Sequence, residues 1–173
     1  KAKKQSSQNF LIDGNIIDKI ILSAEVCSSD VILEIGPGPG ALTQKMLSSG
    51  ATVFAVEKDR SLAKALERLQ TEDQRLHILE MDFLKLDLDK YFSSRLQSGQ
   101  KIKVVANLPY HITTPILSSL LPKAELIDTI TVMVQKEVAQ RFTAEKGTKQ
   151  YSSYTLYIQH FGQVKYCFTV EPT

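Results

Sequence analysis

The chain has 173 residues, 43% of them hydrophobic and 23% charged, and a formal net charge of +2. That is ordinary globular composition with length for one domain and a sizeable core, and the charge is too small to argue by itself for a polyanionic partner. No apolar run approaches the roughly 20 residues a membrane span requires, which points to a cytoplasmic protein without membrane association. Two cysteines, Cys27 and Cys167, stand far apart with no Cys/His spacing, so neither a disulfide framework nor a metal site is indicated, and both read as buried or incidental.

In chain order, residues 1–14 begin with the basic, aperiodic KAKKQSSQ, whose lysines by themselves read as a frayed tail. Ile16, Ile17, Ile20 and Ile21 recur at helical spacing behind Asn15, which predicts a helix over about 15–24 with Asn15 as its N-cap. The decisive stretch follows: VILEIGPGPG, residues 31–40, a buried strand that ends in Gly36, Gly38 and Gly40 and opens a helix over 41–49. Such glycines let bare backbone approach a ligand closely. Their spacing does not fit the dinucleotide fingerprint, and Pro37 and Pro39 remove N–H groups that a pyrophosphate would need, so the loop suits a nucleoside without phosphates. Gly50 closes that helix.

TVFAV, residues 52–56, is a second strand and delivers Glu57, 17 residues after Gly40. An acid there accepts hydrogen bonds from both hydroxyls of a ribose. Lys58, Asp59 and Arg60 read as solvated charges, and residues 61–70 as a helix with Leu62, Leu66 and Leu69 inward. LHILEM, residues 76–81, is a third strand ending at Asp82, which suits the exocyclic amine of an adenine, with a turn cap as the plainer role. Residues 87–100 read as a helix and loop. A fourth strand, KVVA at 103–106, ends in Asn107-Leu108-Pro109-Tyr110.

A nucleobase amine is a poor nucleophile because its lone pair is delocalised into the ring. NLPY offers what such an amine needs: a neutral acceptor from Asn107, a turn fixed by Pro109 with its carbonyl turned to the same place, and a stacking face from Tyr110. His111, His77 and His160 are scattered, and a methylated, cationic amine sheds its proton without a strong base. Further on, a helix over 113–121, a strand over 129–134 and a helix over 135–142 follow; Lys136, Arg141, Lys146 and Lys149 form a basic rim whose usual meaning is a solvated loop but which, on the side of NLPY, would also meet a phosphate backbone. A helix over 151–161 and a last strand over 164–170 complete the series. The alternation predicts an α/β, Rossmann-like doubly wound sheet.

QNFL at 8–11, EIGPGPG at 34–40, Glu57, Asp82, NLPY at 107–110 and MVQKEVAQR at 133–141 together resemble the bacterial ribosomal small-subunit RNA adenine dimethyltransferases. The resemblance covers nearly the whole chain and implies a class I S-adenosylmethionine (SAM) methyltransferase catalytic domain over residues 1–173. By the family pattern Asn9, Leu11, Gly36, Glu57, Asp82 and Asn107 contact the cofactor, with Gly38 in the same loop. Asn107, Pro109 and Tyr110 hold the target base, and residues 1–14 form a flexible basic segment that closes over the cofactor. Family members run on past Glu171-Pro172-Thr173 into an aromatic and proline motif, a last strand and a small helical domain, which are absent here.

The implied activity is dimethylation of the exocyclic amine of two adjacent adenosines near the 3′ end of 16S rRNA, in the immature small subunit during ribosome biogenesis, without a metal. Alternatives are the related large-subunit rRNA adenine methyltransferases of the antibiotic-resistance type and, from another class, a non-catalytic RNA-binding ribosome assembly factor. A DNA adenine methyltransferase would more typically carry an acidic or Asn-Pro-Pro-aromatic tetrapeptide. A nicotinamide dehydrogenase has the wrong glycine spacing.

Overall fold

β1, Val31–Ile35, is the centre of the sheet, as its apolar character, broken only by Glu34, suits a strand covered on both faces. In this computed structural model, which describes residues 13–170, the sheet has five parallel strands in the order β3-β2-β1-β4-β5. The others are β2 (Thr52–Glu57), β3 (Leu76–Glu80), β4 (Ile102–Asn107) and β5 (Ile127–Met133). Parallel neighbours need crossovers, and these carry the helices. α1 (Gly14–Ser23) precedes β1; α2 (Ala41–Ser48) joins β1 to β2, and α3 (Arg60–Glu72) joins β2 to β3. α4 (Leu88–Phe92) precedes β4, α5 (Thr113–Leu120) precedes β5, and α6 (Lys136–Phe142) and α7 (Ser153–Phe161) follow it.

Side chains of β1 alternate between two cores, as strand geometry dictates. Ile32 belongs to the layer under α1 and α2, with Ile17, Ile20, Leu42, Met46, Val53 and Val105. Leu33 and Ile35 belong to the opposite layer, with Phe54, Phe92, Val104, Ile116, Leu120 and Ile158 from β2, α4, β4, α5 and α7. Each such side chain contributes roughly 1.5–3 kcal/mol by leaving water.

Several local expectations change. Asp13, not Asn15, is the N-cap of α1. Both are capping types, but Asp13 has the extended backbone (φ −75°, ψ 114°) and its carboxylate accepts the Asn15 N–H at 2.8 Å. Gly14 thus belongs to α1, and the segment expected over 1–14 otherwise lies outside the described residues. Residues 164–170 form no strand: Val164 packs on the α5/α7 layer and Phe168 on the α1/α2 layer, so the two residues are claimed by opposite faces of the sheet. Phe168 is met there by the Lys19 ammonium, 5.8 Å from its ring centre. Cys27 and Cys167 are both exposed.

Candidate active site

Strand order reverses between β1 and β4, and an open α/β sheet offers its crevice at that switch, beyond the carboxyl ends of the strands. The pairing registers bring the expected residues to one level. Ile35 lies opposite Val56, so Gly36 stands beside Glu57, and the Gly36 N–H donates to the Val56 carbonyl at 2.9 Å. Leu33 lies opposite Val104; three residues on, Gly36 comes level with Asn107. Asn107 in turn pairs with Met133, and Glu57 with Glu80, two residues before Asp82.

The glycine loop is tightly set. Gly36, Gly38 and Gly40 all have positive φ (68°, 58° and 89°). Gly40 is also where α2 meets α3: an added Cβ would lie 2.5 Å from Leu66 Cδ2 and 3.0 Å from Leu69 Cδ1. Gly36 faces the other half of the crevice, its missing Cβ 4.0 Å from Pro109 Cδ. The two loops recognised in the sequence, 70 residues apart, are therefore adjacent.

Glu57, only 3% exposed, sits at the loop's edge. Its Oε2 accepts the Gly38 N–H at 3.2 Å and its Oε1 the Asp59 N–H at 2.8 Å. A carboxylate offers about four lone-pair sites, so two hydroxyls can still be received. Asp82 is half-buried: Oδ1 accepts the Leu84 N–H at 3.1 Å and Oδ2 meets Lys58 Nζ at 2.8 Å. The Lys58 hydrogen bond, helped by the Leu84 N–H, holds its carboxyl below the usual range. The plain capping role and a free lone-pair direction thus coexist. Lys58 and Asp59 are more than solvated charges: one pairs with Asp82, the other caps α3 through the Ser61 and Leu62 N–H groups.

Asn107 ends β4, half-buried, and Tyr110 is 41% exposed at the mouth of the turn. Pro109 differs from expectation. Its carbonyl accepts both the Ile112 N–H (3.2 Å) and the Thr113 hydroxyl (3.1 Å), which fills its two lone pairs within its own turn. Pro109 thereby fixes the turn, with its carbonyl engaged inside that turn. Asn9 and Leu11 lie outside the described residues. Lys136, Arg141, Lys146 and Lys149 are all exposed, and Lys136 opens α6 just past the site end of β5. Among the described residues no group of three His, Cys, Asp or Glu side chains could hold a metal ion, and no helix is long and apolar enough to cross a membrane.

Two contributors escaped the sequence reading. Glu34, inside β1 and 2% exposed, accepts the hydroxyl of fully buried Thr43 at 2.5 Å. Burial, reinforced by the charge of Glu57 and opposed by the Thr43 bond, pushes its carboxyl up to about 8. The available signal was a lone acid in the apolar run VILEI, on the same face as Ile32.

Glycine loop, acid-ended second strand and the Asn107–Tyr110 turn, brought to one switch point of a five-stranded parallel sheet, belong to the fold of the class I SAM-dependent methyltransferases. Residues 1–173 match the family Ribosomal RNA adenine dimethylase, and the chain belongs to it. It is 51% identical over 168 residues to Ribosomal RNA small subunit methyltransferase A of Protochlamydia amoebophila, covering 97% of this chain and 59% of that protein. The chain thus spans under two thirds of the length of that relative. Among solved structures it is similar to a dimethyladenosine transferase from Plasmodium falciparum (TM-score 0.73, 30% identity, 87% of this chain and 52% of that one). It is similar also to the 23S rRNA methyltransferase ErmE (TM-score 0.71, 30% identity, 86% and 56%).

Proposed function

We propose that this chain carries the catalytic machinery for SAM-dependent dimethylation of the exocyclic amine of two adjacent adenosines near the 3′ end of small-subunit rRNA. The substrate would be the immature small subunit in the cytoplasm. The observation that carries the reading is the common level of Gly36, Glu57 and Asn107 at the switch point, with exposed Tyr110 one turn beyond. The residues fit the cofactor: positive-φ glycines leave a cradle, Glu57 suits the ribose hydroxyls, and Asp82 suits the adenine amine. Bound there, the cofactor supplies an electrophilic methyl group.

The chain's own part is positional. Asn107 accepts a hydrogen bond from the target amine through its side-chain carbonyl and so draws the amine's lone pair out of conjugation. Tyr110 stacks on the extruded base. Pro109 holds the turn between them, and the basic rim from Lys136 to Lys149 meets the RNA backbone. After one transfer the amine retains a proton, so the same arrangement serves twice.

Unmethylated small subunits, incubated with SAM and the protein and analysed as nucleosides by mass spectrometry, should yield dimethyladenosine. Asn107→Ala should lower its rate of formation about 100-fold or more, the scale of a lost positioning contact; a change of only a few-fold would sink the assignment. The similarity to ErmE keeps a second reading in view. Modification confined to large-subunit RNA would favour it, and cofactor binding with neither RNA modified would favour an assembly factor.

A further inference from the structure

Glu34 is an outlier in its own strand. Val31, Ile32, Leu33 and Ile35 are apolar, and the strand is buried from Ile32 to Ile35. Strand alternation puts Glu34 on the Ile32 side, in the layer beneath α1 and α2. Leucine would fill such a place without desolvating a carboxyl. What glutamate adds is the 2.5 Å bond from Thr43, the third residue of α2.

That bond spans the glycine loop. Between Glu34 and Thr43 lie Gly36, Gly38 and Gly40, and the helix that follows has no side-chain cap at its start, since Gly40 occupies the N-cap position. Within the loop, Gly40 N–H reaches the Pro37 carbonyl at 3.1 Å and Gly38 N–H reaches Glu57 at 3.2 Å. The Glu34–Thr43 bond is the side-chain tie that joins the loop's two ends. We propose that Glu34 is a positioning residue for the cofactor site: through Thr43 it fixes the loop that presents Gly36 and Gly38, and thereby sets cofactor affinity without touching the cofactor. This rests on the SAM-binding reading of the site.

The Thr43 bond by itself favours the ionised Glu34 carboxyl, but burial and the like charge of Glu57 outweigh it and favour the neutral one. Its charged neighbour is Glu57 of β2, of like sign. α2 faces it with the Thr43 hydroxyl, while Lys45 of α2 and Asp18 of α1 pair with each other at the surface, 2.7 Å apart. At neutral pH the buried carboxyl therefore keeps its proton, and ionisation sets a second negative charge near Glu57 in a dry layer.

Calorimetric titration with S-adenosylhomocysteine tests this, with thermal melting to confirm folding. Glu34→Ala and Thr43→Val should each weaken binding tenfold or more at pH 7. Glu34→Gln, which keeps a neutral hydrogen-bonding group, should restore affinity to within about threefold. Above pH 8 the native protein should lose affinity relative to Glu34→Gln, a ratio from which titration of the ligand's own amine cancels. Equal affinities for native protein, Glu34→Ala and Thr43→Val would overturn the proposal while leaving the cofactor reading intact. A native protein that gains on Glu34→Gln above pH 8 would also overturn it, because Glu34 would then act as a counter-charge to the ligand. Failure of the native protein to bind would overturn the cofactor reading itself, and the proposal with it.

Discussion

The protein buries charge at both ends of its sheet and treats it differently. At the end away from the site, Lys103 of β4 (15% exposed) donates to Asp30 (13% exposed) at 2.9 Å and to the Glu25 carbonyl at 2.7 Å. Asp30 also receives the Cys27 N–H at 2.8 Å, so the turn between α1 and β1 is closed by a matched pair. Glu25, the non-glycine residue at positive φ (49°) among those described, is held there by the same lysine. At the site end, Glu34 and Glu57 are both acids, and the nearest lysine in sequence, Lys58, lies at the rim on Asp82. Charge that holds structure is cancelled within the chain, whereas charge at the ligand end is tempered by protonation and by backbone N–H groups.

The largest test of this contrast is pH. Glu34 titrates near 4.5 when unfolded and near 8 when folded. Between those values the folded chain holds a proton that the unfolded chain has released. Its stabilising effect is therefore complete below pH 4.5 and gone once pH has risen through 8. Relative to Glu34→Gln, the native protein should lose up to about 5 kcal/mol across that window, at 1.36 kcal/mol per unit; chemical denaturation of both proteins at pH 5 and 8.5 measures it. Next comes Lys103→Met, which strands Asp30. Urea denaturation should show a loss of about 3 kcal/mol, while the protein that remains folded binds S-adenosylhomocysteine as before. A loss of affinity there would break the distinction between the two ends.

Glu57→Gln should do the reverse. Affinity should fall roughly tenfold, about 1.4 kcal/mol, with a melting temperature close to native. Smallest is Lys58→Ala: an exposed ion pair is worth about 0–1 kcal/mol, so stability should scarcely move. A large destabilisation would mean that the rim lysine belongs with the structural charges.

Much of this was legible in the sequence because it rests on short-range signals. Glycines packed into five positions, acids that end two apolar strands, and NLPY after a third each report local backbone needs, and all fall where parallel-sheet logic puts them. The misreadings are long-range or competitive. Asp13 and Asn15 are equally good capping residues, and only the backbone angles choose between them. Residues 164–170 have strand-like composition, but composition does not show that Val164 and Phe168 are claimed by different layers. The Glu34–Thr43 tie depends on how the loop between them closes, and the filling of the Pro109 carbonyl on a turn that brings Thr113 back to it.

The shared level of the strand ends bears on how the protein comes into being. Gly36, Glu57, Asp82 and Asn107 come from four successive strand ends, and the central pairing joins β1 to β4 across an intervening strand pair and three α-helices. Such non-local closure is slow because loop entropy is lost before contacts reward it. The crevice has no second wall until β4 docks beside β1, so the glycine loop and the Asn107 turn meet only in the completed sheet.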